Sequence, residues 1–443
     1  MSLAVGLAHV VLLLAAGWWP MRAFAHELAG ARWWSRTCWS LGLGAALVGV
    51  VQVLLSWLGI PAHMAVPAGL AVLSVLMALF TRAGREPLPA EEPLPRLLAV
   101  VLLIVALVGT TASAGLPFRS DGSKFWAPRA RDLALSGAAD APALHDPARL
   151  AHHREYPLLV PALLAPVFAS TPQDATVGPK LVLAALQLAL LGMLAALLAR
   201  HGRTGRWLLV AFATMPMLVS LDVRESVVAG GFVDGVVALF LLMLVAVVQR
   251  LRLGEGDRRE VTLAVLLGSA LVATKLEGAA ELAILAMAWL LVGPSRARVW
   301  TVLAGVALLA LPTLFIQADV VPDPPGFGFG RLADAGVLHA RLMPVTAGLA
   351  GQLLNVSSFG LLPLALALAW FAGRAAGPTR SRAWLGWMLL GVCAFLALVY
   401  LTTNMQAARH IHTSAHRLVW HWLPAATWLL AVAGSPRRDD RTA

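Results

Sequence analysis

Residues 118–132, FRSDGSKFWAPRARD, follow an apolar run and set Asp121, Lys124, Trp126 and Arg129 within nine positions of one another. A carboxylate beside cations is equipped to hold a charged ligand or to move a proton in a reaction. Three further clusters share this character. SLDVRESVVAGGFVDG (220–235) carries Asp222, Arg224 and Glu225, with Asp234 about two helical turns into the apolar run that follows. TKLEG (274–278) sets Lys275 and Glu277 between two apolar runs. NMQAARHIHTSAHRLVWHWLP (404–424) holds Arg409, His410, His412, Ser414, His416 and Arg417.

Most of these residues have a plainer use. Asp121 suits the cap of a helix through GSKFWAPRARDLAL, or a solvated loop. Lys275 and Glu277 are placed to pair with each other. The spacing His410-x-His412-x3-His416 admits a metal, but no carboxylate or cysteine lies nearby, so interfacial hydrogen bonding is the expectation. Asp234 is different, because an ionisable group inside an apolar span is costly and marks function.

The elements that must position these residues are membrane helices. Of 443 residues, 59% are hydrophobic and 13% charged, too few charges to cover a soluble core. Apolar runs of about 20 residues, enough to cross hydrocarbon, recur along the whole length. The short alternating segments of a β-barrel are absent. The expectation is an all-α, polytopic integral membrane protein of about thirteen transmembrane helices. Spans are expected near 2–19, 39–60, 64–81, 96–116, 178–199, 207–221, 228–249, 261–275, 278–292, 299–316, 345–371, 383–402 and 419–434. The formal charge of +11 rests mostly on arginines in short connectors, as orientation signals do, which argues against a nucleic-acid partner. Cys38 and Cys393 offer neither a disulfide framework nor metal-ligand spacing. The first run ends at Ala23-Phe24-Ala25, like a signal-peptidase site, but no Lys or Arg precedes the run, so a retained first helix is expected.

Threaded alternately, the spans separate two sets of loops. One set is short and basic throughout, with Arg36, Arg200, Arg250, Arg298 and Arg382 among its members, and faces the cytoplasm by the positive-inside rule. The threading requires segment 157–170, with its three prolines, to lie at or dip into the outer surface without crossing. The charged loop 117–156 and the other polar clusters then share the outer side, against the usual charge bias. Loop 317–344, rich in Pro and Gly, is expected to be a flexible lid. Trp18, Trp19, Trp33, Trp34, Trp420 and Trp422, at span ends, are expected to form the aromatic belt.

The order of the motifs resembles a known family. SDGSKFWAPRARDLALSG…HREYPLLVPALLA resembles the first outer loop of GT-C-type glycosyltransferases, where an Asp follows an early span, then an amphipathic helix, then a YPPL-like segment. PMLVSLDVRESVVAGGFVDGVVALFLL resembles their later outer turn. ATKLEGAAELAIL looks like the KxEG turn of bacterial members related to the protein mannosyltransferase and aminoarabinose transferase group. HIHTSAHRLVWHWLP is similar to the closing outer segment of those members. The resemblance covers residues 96–424 and divides the chain into accessory helices (1–95) and a GT-C-like module (96–443). It has departures: four spans precede the catalytic loop where many members have one, Gly122 stands where many have a second acid, and Leu158 replaces the second proline of YPPL.

The resemblance implies transfer of a sugar from a polyprenyl-phosphate-linked donor to a glycan, lipid or protein acceptor. The transfer takes place on the outer face of the plasma membrane, with inversion at the anomeric carbon. It implies Asp121 as the catalytic base. Lys124, Lys275, Arg409 and Arg417 are the candidates for holding the leaving lipid phosphate, with His410 and His412 as hydrogen-bond donors. Paired guanidinium hydrogen bonds favour Arg417 among them. Trp126 and Tyr156 stack on a sugar ring or line a lipid groove. Arg129, Arg224, Asp234, Glu277 and Ser414 complete the expected substrate-binding set. No cofactor is expected, although Asp121, Asp234 and Glu225 around a divalent ion would match the family's metal-dependent branch. The alternatives are a lipid-linked-glycan flippase or transporter, since intramembrane charge also marks transport paths, and an enzyme of the O-antigen ligase or polymerase type. Against transport, the halves show no duplication and the charges gather on one face instead of the midplane.

Overall fold

Inside hydrocarbon a chain can satisfy its backbone only as helices or a closed barrel, and this chain takes the first course. A computed structural model describes residues 1–30, 32–61, 63–81, 100, 104, 108, 118, 122–137, 156–172, 175–215, 218, 233–293, 295–320, 329–374 and 380–434. For 124, 318–320, 329 and 372–374 it describes the backbone alone. The N-terminal helices are α1 (Ser2–Phe24), α2 (His26–Ala29), α3 (Trp33–Trp57) and α4 (Ala65–Phe80). A π-helical turn (Gly122–Trp126) leads into α5 (Ala127–Ser136), followed by α6 (Leu159–Ala169), α7 (Val177–Ala199) and α8 (Gly202–Ala213). Next come α9 (Asp234–Leu253), α10 (Arg258–Thr274), α11 (Leu276–Val292) and α12 (Arg296–Val320). A 3-10 turn (Phe329–Leu332) precedes α13 (Ala335–Leu353), α14 (Val356–Phe359), α15 (Leu362–Arg374), α16 (Arg380–Thr402) and α17 (Ala407–Gly434).

Among the described residues, six helices, α1, α3, α7, α9, α12 and α16, are long and apolar enough to cross a membrane. A seventh crossing arises if α13–α14 and α15 form one span bent by 111°. The chain is thus a helical membrane protein, but thirteen crossings are not reached by this measure. Helices α4, α10 and α11 have 16, 17 and 17 residues, about 25 Å each, less than the roughly 30 Å of hydrocarbon. The span expected at 96–116 lies outside the described residues apart from single positions.

Helix α9 is buried on every side from Asp234 to Gln249, so the other helices surround it. Its two ends define two polar layers. At its C-terminal end, Arg250 pairs with Glu27 from the α1–α3 connector, and the Leu251 carbonyl accepts from Arg298 at 3.2 Å. There too Arg252 donates to Ser381 at 2.9 Å, and Arg382 to the Ala433 carbonyl at 3.2 Å. Basic connectors that sequence threading puts on one side do meet at one end. Described members of the outer-loop clusters, Tyr156, Asp234, Lys275 and Arg417, meet at the other.

Segment 157–170 forms one short helix, α6. Helix α6 starts beside Tyr156, and the next helix, α7, begins next to Ser2, whose Oγ accepts from Gly178 N at 2.9 Å. Its eleven residues span about 16 Å, roughly half the thickness of the hydrocarbon. Every residue from Leu159 to Phe168 is buried, so α6 lies within the bundle against α3 and α5, not along its surface.

Three other expectations are corrected. Loop 317–344 is helical from Ala335, because Asp334 caps α13 by accepting from Gly336 N at 2.9 Å and Val337 N at 3.1 Å. The span expected over 345–371 breaks at Asn355, which caps α14, and at Gly360, whose φ of 55° ends it. Segment 404–424 is the first half of α17 and not a loop, since nothing from Ala407 to Leu423 interrupts a helix.

The N-terminal helices share the common core. Helices α1 and α3 cross with almost no gap: a Cβ on Gly17 would lie 1.8 Å from the Ser40 carbonyl oxygen, and one on Gly44 1.8 Å from that of Leu13. Gly44→Ala is therefore expected to lower the melting temperature of the purified protein, with over-packing of about 1–3 kcal/mol. Gly69→Ala, where nothing lies within 4 Å, is expected to leave it unchanged or slightly raised. In a background lacking Cys38 and Cys393, single cysteines at Glu255 and Asn404 should react with an impermeant maleimide from opposite faces of the membrane. Labelling of both from one face would contradict the two-ended arrangement.

Candidate functional site

Asp234 is the first residue of α9, where the helix dipole favours a negative charge; residues 228–232 of the expected span lie outside the described residues. Its side chain has no exposed surface. Lys275 Nζ donates to Oδ1 at 3.0 Å, and Arg417 Nε donates to Oδ2 at 2.8 Å. His421 Nε2 meets Oδ1 at 2.9 Å. The other imidazole nitrogen, Nδ1, meets Glu281 Oε1 at 2.6 Å. Lys275 Nζ also lies 3.2 Å from Glu277 Oε1, the pair expected from the TKLEG motif. One carboxylate thus gathers a lysine, an arginine and a histidine, and two more carboxylates stand behind them.

Local sequence explains how these groups reach each other. Lys275 is a single extended residue between α10 and α11, so its side chain turns inward where the helix breaks. Gly278 then lets α11 start against α10, because a Cβ there would lie 2.2 Å from the Leu271 carbonyl oxygen. Glu277 and Glu281 are four apart on α11, as are Arg417 and His421 on α17, so each pair lies on one helical face.

Aromatic groups adjoin the charges. Trp126, fully buried, stacks on Tyr156 with ring centroids 5.3 Å apart at 24°. The Tyr156 ring lies 5.8 Å from Lys275 Nζ, within cation–π range. Arg129, 2% exposed, fixes this arrangement by donating from Nη1 to the Tyr156 carbonyl at 2.5 Å. The π-helical turn Gly122–Trp126 therefore feeds directly into the layer that holds Asp234.

A second polar group neighbours the first. Tyr400, in electrostatic reach of Lys275, Glu277 and Arg417, shares a 2.9 Å hydrogen bond with Ser414 Oγ. His410 Nδ1 lies 2.9 Å from Thr403 Oγ1, with its ring edge-on to Tyr400 at 5.1 Å. Arg341 donates to the Thr403 carbonyl at 2.7 Å, and Arg331 donates to it as well.

Of the residues expected from sequence, the structure brings together Trp126, Arg129, Tyr156, Asp234, Lys275, Glu277 and Arg417, with His410 and Ser414 alongside. Arg409 and His412 are exposed on α17 and join neither group. Asp121 and Arg224 lie outside the described residues, as does the Lys124 side chain. Trp420 and Trp422 are corrected: 0% and 5% exposed, they pack in the core, Trp420 against Phe212 at 5.6 Å, instead of forming a belt. Among the described residues no three His, Cys, Asp or Glu side chains are grouped to hold a metal ion. Comparison with known protein families, curated proteins and solved structures finds no match.

Sequence reasoning missed His421, Glu281 and Tyr400. The signal for the first two was available, since 410, 414, 417 and 421 repeat at helical spacing, as do 277 and 281. Removing the charge at the centre tests this geometry. Asp234→Asn leaves Lys275, 3% exposed, and Arg417 without their shared counter-charge and is expected to cost about 3–5 kcal/mol in unfolding measurements. Arg409→Gln, at an exposed position, is expected to change stability by less than about 0.5 kcal/mol.

Proposed function

We propose that the chain is a membrane glycosyltransferase of GT-C type that moves a sugar from a polyprenyl-phosphate donor to an acceptor hydroxyl. The observation that carries this reading is the convergence of Lys275, Arg417 and His421 on Asp234, beside the Trp126–Tyr156 stack. Trp126 of that stack belongs to the segment that begins one residue after Asp121 in the chain.

In the proposed reaction the acceptor oxygen attacks the anomeric carbon while the bond from that carbon to the phosphate oxygen breaks. The acceptor proton passes to the Asp121 carboxylate, and the electron pair leaves on the polyprenyl phosphate. Attack opposite to the leaving group inverts the carbon. Lys275 and Arg417 hold the charge that develops on the phosphate. Asp234 keeps both cations aimed at one point, so little reorganisation is required when the donor arrives. Of the two cations, Arg417 has the more exposed side chain, 13% against 3%, and is the one that reaches the phosphate, while Lys275 acts through its field from behind Asp234. The stacked Trp126 and Tyr156 place an aromatic edge where the sugar ring lies.

Radiolabelled polyprenyl-phosphate sugars, supplied to purified protein with membrane extract as acceptor, test the reading. Wild type is expected to transfer label and release polyprenyl phosphate. Asp121→Asn is expected to abolish transfer, and Arg417→Gln to lower kcat by roughly 10²–10³-fold. Movement of an intact donor across liposomes, with no cleavage, would overturn the proposal in favour of a flippase.

A further inference from the structure

Two arginines converge on one backbone oxygen at the end of α16. That helix starts beside Ala433, whose carbonyl accepts from Arg382, so its C-terminus lies at the Asp234 end of the bundle. A helix C-terminus leaves its last carbonyls unpaired and carries about half an elementary negative charge. Arg341 Nη1 donates to the Leu401 carbonyl at 3.2 Å and to the Thr403 carbonyl at 2.7 Å. Arg331 Nη1 donates to the same Thr403 oxygen. Two bonds to one oxygen hold the guanidinium groups within about 6 Å of each other.

Among the described residues, neither arginine forms an ion pair, and Nε and Nη2 of both have no partner and are not enclosed. Asp334, the carboxylate next to them in the chain, accepts from Gly336 N and Val337 N at the cap of α13. Two full positive charges exceed Asp334 and the helix end together, so a surplus remains. The neighbouring side chains are apolar and exposed: Leu332 follows Arg331, Leu342 and Met343 follow Arg341, and Met405 lies two residues beyond Thr403. In a helical membrane protein such residues face lipid. Paired guanidinium groups suit a phosphate, whose oxygens accept from both forks. We propose that Arg331 and Arg341 together bind the phosphate of an anionic phospholipid at the membrane boundary, with its chains along Leu342 and Met343. No residue is shared with the sugar transfer proposed above, so either proposal can fail without the other.

Native mass spectrometry of the full-length protein in neutral detergent tests the assignment, with phosphatidylglycerol, phosphatidylcholine and inorganic phosphate titrated separately. Phosphatidylglycerol is expected to bind wild type several-fold more tightly than phosphatidylcholine does. The double variant Arg331→Gln/Arg341→Gln is expected to bind it at least tenfold more weakly. If that variant does not fold, Arg331→Lys/Arg341→Lys keeps both charges and a donor for the Thr403 carbonyl but loses the forks, and a several-fold loss is expected. Arg380→Gln removes one exposed positive charge at the other end of the bundle and is expected to bind as wild type does. Equal phosphatidylglycerol binding by wild type and the double variants would overturn the proposal, as would equal binding of phosphatidylcholine. A loss in Arg380→Gln as large as in the Arg331/Arg341 variants would also overturn it. Binding of inorganic phosphate without phosphatidylglycerol would overturn the lipid.

Discussion

A carboxylate without exposed surface is among the most expensive groups to place in a helical bundle, and Asp234 persists because three partners surround it. Lys275 arrives from the break between α10 and α11, and Arg417 and His421 arrive from one face of α17. Without Asp234, Arg417 would lose this carboxylate, and Lys275 and His421 would keep only Glu277 and Glu281 as carboxylate partners. The interaction therefore ties α9, the most enclosed helix, to both of the elements that close the site. Through His421 it reaches Glu281 and anchors α11 a second time.

The rest of the architecture keeps this cluster at one end of the molecule. Apolar helix surfaces favour charges where helices begin and end, as at Asp234, Arg250 and Lys275. Breaks at Lys275, Asn355 and Gly360 fall in sequence where a helix has to stop or bend. The short α6 follows directly on Tyr156, whose ring lies 5.8 Å from Lys275 Nζ. Close approach of α1 and α3 through Gly17 and Gly44 joins the N-terminal helices to this core. For the proposed transfer, the consequence is a pair of cations held in advance beside an aromatic stack.

Individual residues show how far the sequence could be read. Asp234 stood out because an acid in an apolar run has few innocent uses, and the TKLEG pair is local enough to be inferred from adjacency. His421 and Glu281 were hidden by the apolar residues around them, although their four-residue spacing from Arg417 and Glu277 was visible. Trp420 and Trp422 sit near a span end, where the belt is the usual expectation, but α8 covers Trp420. The thirteen expected crossings are not reached among the described residues, where α4, α10 and α11 are short and α13–α15 is bent.

Composition and local pattern by themselves determined that the chain is helical, membrane-embedded and polar at two layers, with the basic connectors gathered in one of them. These properties sum over neighbouring residues, about 20 at a time for a span. Only the tertiary structure decided which charges meet. Asp234 is 41 residues from Lys275, 183 from Arg417 and 187 from His421, and no local pattern encodes such distances. An ion pair forms or fails within about 4 Å. That scale is set by how α9, α11 and α17 pack against one another, which no single segment contains.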